Sequence, residues 1–132
     1  MRYIGEHELK IGSRFLFLSM AIQVIQSDIK RLEKHSPPFK INEPYLELLH
    51  RLEVKATAER RSLKQHMYKE GLKVIQTDKD GTFTEYTFFC KDKEEIRRYF
   101  NPAIKTKVRD ILNELIGGGE KGKGKYSPSY HC

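Results

Sequence analysis

The amino-acid sequence predicts a mostly α domain of the α+β class: a small bundle of long antiparallel helices carrying one β-hairpin. Three observations predict it. An apolar stripe keeps its phase from Tyr45 to Met67: at about 100° per residue, Tyr45, Leu48, Leu49, Leu52, Ala56, Leu63 and Met67 fall in one sector. Earlier, Phe15, Leu18, Ile22, Ile25, Ile29 and Leu32 recur at 3-4-3-4-3 spacing, the signature of a helix packing seam. Later, the β-favouring runs LKVIQT and TFTEYTFFC flank Asp78-Lys79-Asp80-Gly81, a turn sequence. With 132 residues, 38% hydrophobic and 33% charged, the chain suits one folded domain rather than disorder.

Along the chain, Tyr3-Ile4 and Leu9-Ile11 read as short strands or an arm, punctuated by Gly5 and Gly12. Ser13 reads as the N-cap of a first helix that runs to about His35 and is ended by Ser36-Pro37-Pro38. Its far end exposes Lys30, Arg31 and Lys34. Asn42-Glu43-Pro44 opens the second helix, and Gly71 suits the residue just past its end. In the hairpin, Gly81 is expected to take a positive φ, and Phe83, Glu85 and Thr87 share the face opposite Tyr86 and Phe88. Asp92 reads as the cap of a short helix through Phe100, with Glu94 and Glu95 at its positive end. Asn101-Pro102 restarts a helix whose seam is Ile104, Val108, Ile111, Leu112 and Leu115. Residues 1–116 thus form the globular domain, and residues 117–132, rich in Gly and Lys, form a flexible basic C-terminal tail.

Composition narrows the function classes. The net charge of +7 favours anionic partners, nucleic acid or an acidic protein face. The strongest apolar run, Phe15 to Ile25, is shorter than the ~20 residues a bilayer-spanning helix needs, so no membrane role is expected. Two cysteines, Cys90 and Cys132, with no CxxC, fit a reducing cytoplasmic setting. His7, His35, His50, His66 and His131 show no metal spacing, and no nucleophile sits beside a base. No cofactor, metal or catalytic residue is nominated, and the chain is expected not to be an enzyme.

The stretch from Arg51 to Lys73 holds seven Lys or Arg against three Glu. Arg51, Lys55, Arg60, Arg61 and Lys64, with Lys121, Lys123 and Lys125 of the tail, are the candidate phosphate contacts. From Leu63 to Phe89 the order helix, Gly71, strand, turn, strand resembles the recognition helix and wing of winged-helix DNA-binding domains, over about a fifth of the chain. That resemblance implies a helix-turn-helix turn at Ala56-Thr57-Ala58-Glu59, with Thr57 as N-cap, yet no Gly or Pro stands there. An unbroken stripe implies one continuous helix instead, on which Glu59 lies close to the apolar sector and is either solvated or paired with a base from another helix. The leading functional expectation is a non-enzymatic, nucleic-acid-associated regulatory or accessory factor. Its rival is a helical protein-interaction module that forms a homodimer or docks a partner.

Overall fold

The structure, a computed structural model, describes residues 4–34 and 41–117. In order along the chain lie α1 (Glu6–Lys34), α2 (Glu43–Glu70), β1 (Leu72–Lys79), β2 (Phe83–Cys90), β3 (Lys93–Phe100) and α3 (Asn101–Gly117). The strands form one antiparallel meander, β1-β2-β3. The expected mostly helical α+β domain is therefore present, with three strands in place of a simple hairpin.

The two long helices are antiparallel, as their cross-contacts show. Arg14 pairs with Glu59, Ser19 with Arg60 and Gln26 with Glu53, so one helix ascends as the other descends. The seam of α1 behaves as its spacing requires: Leu18, Ile22, Ile25 and Ile29 are buried. On α2, Leu52, Ala56 and Met67 are buried, while Tyr45 lies in a first turn that outruns the core and is exposed. The α2 helix is continuous through Ala56–Glu59, where the Thr57 hydroxyl donates to the Glu53 carbonyl one turn back (2.6 Å). Thr57 is thus an interior residue, not a cap, and the helix-turn-helix reading is excluded. Gly71 ends α2 in the left-handed region (φ 69°), as expected.

Four local expectations need correction. The first helix begins at Glu6, with the Leu9 N–H donating to the Gly5 carbonyl, so Leu9-Ile11 is helical and Ser13 is a buried interior residue. Gly12 is not punctuation either. A Cβ there would stand 3.0 Å from the Phe88 ring and 3.2 Å from Val74, so its lack of a side chain lets α1 approach the sheet. Residues Lys93–Phe100 form β3 rather than a helix capped by Asp92. Pairing with β2, residue for residue from Phe83↔Phe100 to Cys90↔Lys93, outweighs the helix-like start of that segment. The remaining correction concerns the β1–β2 turn, where Gly81 does not adopt a positive φ. The Asp80 carboxylate shapes it instead, accepting the Thr82 (2.8 Å) and Phe83 (2.7 Å) backbone N–H groups. Those two bonds hold the Asp80 carboxyl below its ordinary value of 3.8. The expected stop at Ser36-Pro37-Pro38 and the tail beyond Gly117 lie outside the described residues.

The core lies between the helices and one face of the sheet. Phe88 is fully buried, and Phe17 of α1 meets Tyr99 of β3 edge to face at 5.3 Å. The seam of α3 adds Val108, Ile111 and Leu115.

Candidate interaction surfaces

The predicted basic residues do not form one surface. Lys55 donates from Nζ to the Leu115 carbonyl (3.1 Å), placing a cation near the C-terminus of α3, where the helix dipole favours it. Arg60 turns toward α1. Its Nε donates to Ser19 Oγ (2.8 Å), and its guanidinium lies over the Phe15 ring, 4.6 Å from the centroid. Arg51 is exposed, with Glu47 one turn back at 4.0 Å. Arg61 and Lys64 are also exposed and border a shallow depression of about 710 Å³ with His66, Tyr68 and Lys69. Lys121, Lys123 and Lys125 lie outside the described residues.

The residue missed on sequence grounds is Arg14, which answers the question posed by Glu59. Its Nε and Nη2 reach Glu59 at 2.7 and 3.1 Å, and its Nη1 reaches Glu114 at 2.7 Å. One guanidinium thereby ties α1 to both α2 and α3. Burial opposes the Arg14 charge, but the hydrogen bonds and attraction from Glu59 and Glu114 outweigh it and raise its pKa above the ordinary arginine value. The cluster joins the three helices to one another, so it serves the fold.

Cys90 is buried, its thiol 3.6 Å from the Glu70 carbonyl. Among the described residues no group of three or more His, Cys, Asp or Glu could hold a metal ion, and no helix is long and apolar enough to cross a membrane.

The outer face of the sheet is different in kind. The register sets Ile75, Thr87 and Ile96 side by side across all three strands, with Phe83 beside Phe100 near one end and Phe89 between Lys73 and Glu94 at the other. Ile75 is 43% exposed, Ile96 55%, Phe100 50% and Phe83 38%, far above the 0–9% of the core. A bulge between Gln76 and Asp78 brings Thr77 onto this face too, where its hydroxyl meets Glu85 Oε2 (2.9 Å) and Thr87 Oγ1 (3.1 Å). Arg98 lies over the Phe83 ring at 4.9 Å. Scattered exposed apolar residues are ordinary; here two exposed apolar pairs, Ile75 with Ile96 and Phe83 with Phe100, flank a charged row of Asp78, Glu85 and Arg98 on one sheet face.

These features define an α+β domain in which helices cover one face of a three-stranded meander, while on the other Ile75, Phe83, Ile96 and Phe100 stay exposed. The chain belongs to the YhjD protein family, which it matches over residues 3–120. It is similar to the uncharacterized protein YhjD of Bacillus subtilis (strain 168), with 32% identity over 116 residues that cover 88% of this chain and 95% of that relative. No solved structure matches the chain.

Proposed function

We propose that this protein is a non-enzymatic binding module whose outer sheet face docks another protein. The observation that supports this is the run of exposed apolar side chains, Ile75, Ile96, Phe83 and Phe100, on strands whose opposite faces are buried. Sheet faces in a small domain ordinarily alternate buried apolar with solvated polar residues. Here the solvent side adds isoleucine and phenylalanine to its charged residues, a mixed surface that a protein partner can cover.

A photo-crosslinking phenylalanine analogue placed at position 96 or 100 should give a protein adduct in cells. The same analogue at position 26 or 30, on the exposed side of α1, should not. If all four positions behave alike, the docking reading falls.

Nucleic-acid association is the second reading, and one observation favours it. Tyr68 is 87% exposed and stands beside Arg61, Lys64 and Lys69, a combination that suits stacking on a base with phosphate contacts nearby. Mobility shifts with single-stranded DNA and RNA at low salt test it: binding must weaken for Tyr68→Ala and Lys64→Gln. Since Lys55 and Arg60 are engaged within the fold, substitutions there report on stability instead.

A further inference from the structure

Resting on the docking reading, we infer that the partner is a second copy of this chain, the two outer sheet faces packing on each other about a two-fold axis parallel to β2. The argument comes from the charge pattern of that face. Reading across the strands from β1 to β3, one row is Lys73, Phe89, Glu94; the next is Ile75, Thr87, Ile96; the third is Asp78, Glu85, Arg98. A two-fold axis lying between the sheets and along β2 keeps each row and exchanges the outer strands. Lys73 then faces the partner's Glu94, Ile75 faces the partner's Ile96, and Asp78 faces the partner's Arg98. In these three rows every position on the outer strands meets a complement, and each match occurs twice; Phe100, in the row beyond, has no β1 residue across from it.

Along the axis β2 meets its own copy, so Phe89 and Phe83 meet themselves, while Thr87 between them is already buried at 4% exposure. Glu85 meets the partner's Glu85 in the one like-charge contact. Arg98 is the cross-strand neighbour of Glu85 in each copy, with its guanidinium 3.8 Å from the Asp80 carboxylate. The other in-plane axis, perpendicular to the strands, also matches charges but sets Phe89 on the partner's Glu85, a carboxylate against an aromatic ring. It is the poorer solution.

The usual angle of about 30° between packed sheets shifts strands ~4.8 Å from the axis by about 2.4 Å, less than half the ~6.8 Å between rows, so the matches survive it. The rest of the molecule explains why this face would be chosen. The chain carries +7, and two copies repel. On this face Lys73 and Arg98 stand against Asp78, Glu85 and Glu94, so it is the place where copies meet without that cost. With three strands of eight residues, each ~27 Å long and ~4.8 Å from the next, the footprint is smaller than that of a standard specific interface, so a weak, reversible dimer is expected.

Sedimentation equilibrium of the full chain tests the inference. The average mass should rise toward twice that of the monomer across about two decades of concentration. Ile96→Lys should hold the protein monomeric with an unchanged circular dichroism spectrum. Lys73→Glu and Glu94→Lys should each weaken the dimer by about tenfold or more, and the two together should restore it. A monomer at every concentration would overturn the inference, while the docking reading would stand if position 96 still crosslinks to a different protein. Association that survives Ile96→Lys, or that the double reversal fails to restore, would overturn it as well.

Discussion

On the inner side of the sheet Leu72, Tyr86, Phe88 and Tyr99 are buried beneath the helices, whereas on the outer side Ile75, Phe83, Ile96 and Phe100 remain exposed. The strands are the same, and successive residues simply point to opposite faces. What separates the two faces is their cover. Gly12 lets α1 come close enough to seal Phe88 and Val74, and no described helix does the same outside. Apolar character alone therefore does not distinguish a core residue from an exposed one here; the approach of another element does.

The largest expected effect lies on the covered side. Phe88→Ala removes a fully buried ring and should cost about 3–5 kcal/mol of unfolding free energy, measurable by urea denaturation. A loss below ~1 kcal/mol would mean that the inner face does not hold the fold.

Next comes the cluster that locks the covering helices together. Arg14→Leu leaves the Glu59 and Glu114 carboxylates without their shared cation and should cost about 2–4 kcal/mol, less than a fully buried pair because the Glu59 side chain is 36% exposed. If the denaturation midpoint is unchanged, the helices are held by apolar packing alone.

A smaller effect belongs to the turn joining the strands. Since the Asp80 carboxyl is held below 3.8, its contribution to stability is fully present above that pH and is lost as pH falls through the lowered value. A carbon-detected NMR titration should place its midpoint below 3.8. Gly81→Ala should leave the denaturation midpoint in place, because Gly81 has no positive φ and a Cβ there meets nothing within 4 Å. A marked fall would restore the left-handed glycine turn.

Much of this architecture is legible in the sequence, and the gaps share a cause. The phase of the stripe from Tyr45 to Met67 is a local property, and it correctly predicts one long helix. Gly12 and Ser13 look like a break and a cap, which obscures the start of α1, when Ser13 is a buried helix residue and the small size of Gly12 serves contact with strands some 70 residues later. Asp92-Lys93-Glu94-Glu95 satisfies every local rule for a helix start, yet the segment pairs with β2. Half of the outer face could be read from the alternation of Phe83, Glu85 and Thr87, but β3 supplies the other half. The basic residues show the same limit. Helical periodicity places Lys55 and Arg60 on a polar side, but only the packed structure reveals that α3 and α1 engage them there.

The central claim is that the sheet divides its labour, one face for folding and the other for docking. Urea denaturation of the double variant Ile75→Ser/Ile96→Ser, beside Phe88→Ala in dilute solution, tests it most directly. The account predicts a loss below about 1 kcal/mol for the double variant against several for the single one. Equal losses would show that the outer face belongs to the folded core and is not held in reserve for a partner.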